Sequence, residues 1–174
     1  GALVRDIDVR QIDKGSWSTL NELFLKHHVL AFPGQSLTED ELIAFAAQWG
    51  PLIRHPYAGM KCHPDVIELR NTGKRKDINQ HWHSDMTYNP QPPKFTMLYA
   101  KQTPEIGGDT AFSNQILAYQ NLSSGLKQVL SGLTAEHTAA GLALLNKANA
   151  ADAPKATHPV VRTHDETGEQ ALYV

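Results

Sequence analysis

Cysteine is almost absent. Cys62 stands alone among 174 residues, which excludes a disulfide framework and a multi-cysteine zinc site. Long apolar runs are missing too. None approaches the roughly 20 residues of a spanning helix, and Gly1-Ala2-Leu3-Val4-Arg5 does not read as a signal peptide, so a cytoplasmic protein is the default expectation. Charge of one sign is not in excess. Lys+Arg 16 against Asp+Glu 18 leaves a net charge of −2, and no field draws the chain to nucleic acid or an anionic membrane. Composition leaves a homo-oligomer open. There is no internal repeat, and no low-complexity tract beyond an Ala-rich stretch. What remains is 41% apolar and 20% charged, ordinary for a globular protein, at a length that fits one domain and buries about 70% of its unfolded surface. Histidine is the unusual entry in the composition, with nine copies of the commonest metal ligand.

Ser16 is expected to cap a helix carrying Trp17, Leu20, Leu23, Phe24 and His27, ending before a buried strand at Val29-Leu30-Ala31-Phe32. After a turn at Pro33-Gly34-Gln35, Thr38 and Glu41 form a capping-box pair for a second helix with Leu42, Phe45, Ala46 and Trp49 on its apolar face, stopped by Gly50-Pro51. Val66-Ile67-Glu68-Leu69 reads as a strand and Gly73 to Asp77 as a polar loop. Two further extended segments follow, His81–Thr87 and Phe95–Ala100; in the second, Phe95, Met97 and Tyr99 alternate with Thr96, Leu98 and Ala100 as on a half-buried strand. Gly107-Gly108-Asp109-Thr110 is a tight turn into Ala111-Phe112. Helical patterns occupy Asn114–Asn121 and Ser123–Ser131. The stretch 139–154 has no aromatic residue and reads as a mobile excursion. His158 to Thr163 is a strand, Asp165 to Gly168 a turn, and Ala171 to Val174 the start of a returning strand. Short strands with covering helices and no βαβ rhythm point to an α+β or mainly β architecture.

The densest polar cluster is His81-Trp82-His83-Ser84-Asp85. On a strand, residues two apart share a face, so His83 and Asp85 point the same way and can take two adjacent positions on one metal ion. With a distant second histidine they would form the facial triad of non-haem Fe(II) oxygenases, which leaves positions open for substrate. The bare pattern is common by chance, and a hydrogen-bonded surface strand is its more ordinary account. His81 shares the face as a strand-edge histidine, and Trp82 faces away toward the core.

The stretch from His81 through Tyr88, then Pro92-Pro93, then Gly107-Gly108-Asp109-Thr110 resembles the TauD/TfdA family of Fe(II)/2-oxoglutarate-dependent dioxygenases. The likeness extends to Gly1–Asp8, to Val29–Gln35 and to His158-Pro159-Val160-Val161-Arg162-Thr163-His164, so it runs through almost the whole chain in order. The resemblance implies a double-stranded β-helix, a jelly-roll barrel with helices on its outside, incomplete in this chain. It also implies hydroxylation of a small, mostly anionic organic substrate by Fe(II), 2-oxoglutarate and O₂, with release of succinate and CO₂. Residue by residue, it makes His83 and Asp85 the iron ligands, Thr110 a hydrogen-bond partner of the 2-oxoglutarate carboxylate, and Gly107 and Gly108 structural. Asn79 and His55 match substrate-contacting positions, and Tyr57 stands one position away from another.

The family's third iron ligand, a histidine, and the arginine that clamps 2-oxoglutarate are expected downstream of Val174. The chain then represents about the first two thirds of one larger domain. His137, His158 and His164 are not promoted to ligands, and Arg162 is expected to snorkel or pair with Asp165 or Glu166. Two other readings stay open: a jelly-roll binding or structural protein with a relic or zinc-filled site, and a metal-dependent hydrolase using His81, His83 and Asp85.

Overall fold

Asp13 rather than Ser16 opens the first helix. In the computed structural model, which describes residues 1–70 and 81–174, helix α1 runs Lys14–His27 and the Asp13 carboxylate accepts from the Ser16 amide at 2.7 Å. The serine serves as donor to the cap three residues before it. The helix stops where His28 turns left-handed, φ 64. Two compact units follow from the contacts, Gly1–Arg70 and Asn71–Val174.

In the first unit, the expected buried strand shrinks to β2, Leu30–Ala31, paired in parallel with β1, Ala2–Leu3; Ala31 is exposed. Two residues on each side give too little ladder to bury. Helix α2, Glu39–Ala46, starts on the expected capping box, with Thr38 and Glu41 satisfying each other's backbone amides, and a 3₁₀ turn carries it to Trp49. Its Phe45 lies edge-on to both Phe32 and Trp49, at 5.7 and 5.1 Å between ring centres, and Trp49 meets Trp17 of α1. Each such pair adds about 0.5–1.5 kcal/mol beyond area burial. Val9, Leu20 and Phe45 are the buried apolar residues of this unit. The Gln35 amide ties the entry segment to the turn after β2, accepting from the Val9 amide and donating to the Ile7 carbonyl. The strand expected at Val66–Leu69 is not formed. Val66 bonds to His63 and Met60 within a loop, and Leu69 is 60% exposed; among the described residues no segment pairs with this stretch as a ladder.

In the second unit, Asn114 and Ser123 cap helices α3, Gln115–Gln120, and α4, Ser124–Leu130. Strand β3, Thr134–Thr138, pairs antiparallel with β4, Lys155–Pro159. Residues 139–154 leave β3 and return to β4, carrying helix α5, Ala140–Leu145, with Ala143 fully buried. The strand expected from His158 breaks at Val160. There the chain passes from one ladder to the next: the Val160 amide donates to Leu133, and its carbonyl accepts from Tyr173, continuing the pairing of β5, Val161–Thr163, with β6, Gln170–Leu172. Among the described residues the sheets stay two-stranded, and no helix is long and apolar enough to cross a membrane.

His137, His158 and Tyr173 pack together between these ladders, with ring centres 5.1–5.3 Å apart. Of the two expectations for Arg162, snorkelling or pairing with Asp165 or Glu166, the structure shows the guanidinium against an aromatic ring. It lies 5.0 Å over the Tyr173 ring, while Glu166 pairs with Lys94 at 2.6 Å. His164 accepts from the Glu166 and Thr167 amides and so holds the turn into β6.

Burial holds His137 below the ordinary histidine value of 6.5, and His158 beside it pushes the same way, partly offset by a bond to the Tyr173 backbone. A histidine favoured neutral in the fold contributes stability that is complete above the unfolded value and declines as pH falls from 6.5 toward the folded one. The urea midpoint is therefore expected to drop on acidification through that window, and His137→Phe, which keeps the stack on Tyr173, to reduce the drop. An unchanged pH dependence in the variant would assign the acid limb to other groups.

Candidate metal centre

The strand predicted at His81–Thr87 is not there. Residues 82–84 join no ladder, and 85–88 form a turn in which Met86 takes φ 51. A left-handed methionine costs roughly 1–2 kcal/mol, and the Asn89 amide closes the turn on the Met86 carbonyl at 3.1 Å. His83 and Asp85 nevertheless converge. His83 Nε2 stands 3.2 Å from Asp85 Oδ1, with the two side chains 45% and 46% exposed.

Two hydrogen bonds fix which atoms face each other. His83 Nδ1 lies 2.7 Å from the His81 carbonyl. A carbonyl only accepts, so the proton sits on Nδ1 and Nε2 is the nitrogen turned to Asp85. The Thr96 hydroxyl donates to Asp85 Oδ2 at 2.7 Å, leaving Oδ1 turned to His83. The facing pair is an ion pair when the imidazole carries a second proton, and a chelating pair when Nε2 gives it up. Two donors ~2.1 Å from one octahedral ion and at right angles to each other stand ~3.0 Å apart. The observed separation fits one ion bound by both. Among the described residues no group of three His, Cys, Asp or Glu side chains is placed to hold a metal.

The other sequence candidates fall as follows. His81 contributes its carbonyl, not its ring. Trp82, expected in the core, is 74% exposed. Gly107 and Gly108 both take positive φ, 81 and 75, and a side chain on Gly108 would press on Pro104 at 3.2 Å, so the turn before Thr110 requires glycine. Thr110 itself is exposed, and among the described residues no hydrogen bond joins it to His83 or Asp85. Asn79 lies outside the described residues.

His55 and Tyr57 belong to the first unit. The Tyr57 amide donates to His55 Nδ1 at 3.2 Å, and both rings line a shallow hollow with Arg54, Met60 and Pro64. Arg54 is held by Asp65 at 2.7 Å, which keeps its guanidinium above the ordinary arginine value.

Two residues enter that the motif reading passed over. Thr96 holds Asp85. His158, 6% exposed, shares its Nε2 proton between the Thr87 and Asn89 carbonyls at 2.8 and 3.1 Å, and so fastens the turn that follows Asp85. The signal for Thr96 was the alternation over 95–100, which puts its hydroxyl on the outward face. Nothing local marks His158, whose partners are about 70 positions away.

The chain belongs to the TauD, TfdA family of taurine catabolism dioxygenases, whose model matches residues 1–174. It is 31% identical over 191 residues to the (S)-phenoxypropionate/alpha-ketoglutarate-dioxygenase of Sphingobium herbicidovorans, covering 100% of this chain and 67% of that protein. To the alpha-ketoglutarate-dependent 2,4-dichlorophenoxyacetate dioxygenase of Cupriavidus pinatubonensis it is 32% identical over 199 residues, covering 98% of this chain and 68% of that one. Among solved structures, AAD-2 in complex with Mn(II) and N-oxalylglycine superposes with a TM-score of 0.77 at 27% identity, over 99% of this chain and 64% of that chain. The chain thus spans about two thirds of the length of these proteins.

Proposed function

We propose that the protein is an Fe(II)- and 2-oxoglutarate-dependent dioxygenase that hydroxylates a small organic anion. One observation carries the reading: His83 Nε2 and Asp85 Oδ1 face each other at a chelating distance, each fixed by a hydrogen bond on its far side. The family match runs through both units, which supports a single domain with the jelly-roll fold of that family. The named substrates of the two relatives, phenoxypropionate and 2,4-dichlorophenoxyacetate, are carboxylates, which supports an anionic substrate.

In this reading His83 and Asp85 hold the metal and Thr110 holds a carboxylate of 2-oxoglutarate. His55, Tyr57 and Asn79 contact the substrate. Held by His83 and Asp85, iron would supply activation of O₂ coupled to loss of CO₂ from 2-oxoglutarate, with one oxygen atom going to succinate and the other to the substrate hydroxyl, a balance that needs no further reductant. The chain's own work is to hold the imidazole by its Nδ1, so that Nε2 is the nitrogen turned to the ion, and to present one carboxylate oxygen beside it.

Anaerobic addition of Fe(II) and 2-oxoglutarate to the full-length protein is expected to give the visible charge-transfer band of the chelate, and admission of air to release succinate with an accepted anion. Zinc binding without that band, and no succinate with any anion of a panel, would instead support the relic site of a binding protein.

A further inference from the structure

We infer that Thr96 is a positioning residue for the metal-binding carboxylate: its hydroxyl occupies Asp85 Oδ2 and thereby assigns Oδ1 to the ion. The inference rests on the metal reading of His83 and Asp85. A carboxylate on a half-exposed turn has two equivalent oxygens and a nearly two-fold torsion, so by itself it presents either oxygen, or both at once. Here the symmetry is broken. Thr96 donates to Oδ2 at 2.7 Å, and Oδ1 is left 3.2 Å from His83 Nε2.

The donor is itself held. Threonine is branched at Cβ and stiff at its first torsion. Its segment is anchored by the half-buried Phe95, Met97 and Tyr99, whose alternation aims the Thr96 side chain outward. With the His81 carbonyl on His83 Nδ1, the two candidate ligands each have one outer partner 2.7 Å away. Such partners change metal affinity by about 10–100-fold when removed. An exposed hydroxyl bond adds little to folding, so Thr96 acts on the ion more than on the fold.

The test uses full-length protein, Co(II) alone as the probe, and its visible d–d absorption for affinity and coordination. Thr96→Val and Thr96→Ala are expected to weaken Co(II) binding roughly 10–100-fold and to alter the band pattern as the freed carboxylate binds through both oxygens. Thr96→Ser restores the hydroxyl and is expected to restore both affinity and spectrum, while thermal midpoints of all three stay close to that of the parent. Wild-type affinity and spectrum in Thr96→Val or Thr96→Ala, or a Thr96→Ser variant as weak as Thr96→Val, overturns the role of Thr96. Asp85→Ala separates that failure from failure of the underlying reading: Co(II) binding lost there but kept in Thr96→Val overturns Thr96 alone. Binding kept in both overturns the site itself.

Discussion

Asp85→Ala is expected to abolish metal binding and to leave the fold standing. Of the two donors that face each other at 3.2 Å, Asp85 is the carboxylate, and among the described residues its removal leaves only the His83 imidazole at the site. Imidazole nitrogen without a carboxylate oxygen is a poor set of donors for a hard divalent ion, so the expected loss is larger than the 10–100-fold typical of an outer partner. Stability responds differently. The Asp85 side chain is 46% exposed and its pair with His83 is a surface pair, worth about 0–1 kcal/mol. The Thr96 hydroxyl that loses its acceptor turns to solvent. Far-UV circular dichroism and the urea midpoint should therefore match the parent while Co(II) or Fe(II) titration shows no saturable site. Equal metal affinity in the variant would place the ion elsewhere. A collapsed urea midpoint would make Asp85 a structural residue of the turn.

What the sequence reveals here depends on how far apart the interacting residues lie. The capping box of α2 is complete within four residues, and Thr38 and Glu41 take up the expected bonds. The start of α1 is also local but ambiguous. Asp13 and Ser16 both suit a cap, and the weak helix former Gly15 between them hides that the helix has begun. Strand partners are another matter. Val66–Leu69 and His81–Thr87 have the residue types of strands, but a strand exists only against a ladder, and that is decided elsewhere in the chain. The adjacency of His83 and Asp85 was legible from their spacing, although a left-handed Met86 and a turn, not a pleated strand, bring them together. The fixing of Nδ1 by the His81 carbonyl, and of Oδ2 by a threonine 11 positions on, was not legible: the alternation over 95–100 turns Thr96 outward but does not name its partner. Trp82 shows the same limit from the other side: assigning it to the core required a strand with two faces, and without the strand the ring lies in solvent.

His158 is where fold and site meet, and its replacement is expected to damage both. It is the one polar side chain among the buried residues described, and it gives its Nε2 proton to the Thr87 and Asn89 carbonyls while its ring packs against His137 and Tyr173. His158→Phe keeps most of the ring volume and removes the donor, which leaves two carbonyls without that partner at a cost of about 1–3 kcal/mol. His158→Ala removes the ring as well and opens a space between the ladders, for a total of about 2–4 kcal/mol. Urea unfolding should show the midpoints falling in the order parent, Phe, Ala with the slope unchanged. The bond also reaches the site, because Thr87 lies in the turn that carries Asp85 and Asn89 directly follows it. Once that turn is unfastened, the left-handed Met86 can relax, and the facing of Nε2 and Oδ1 loosens with it. Co(II) affinity of the folded His158→Phe protein should accordingly fall, although the ring touches neither candidate ligand. A Phe variant that binds Co(II) like the parent would confine His158 to packing, and one as stable as the parent would show that water supplies both carbonyls.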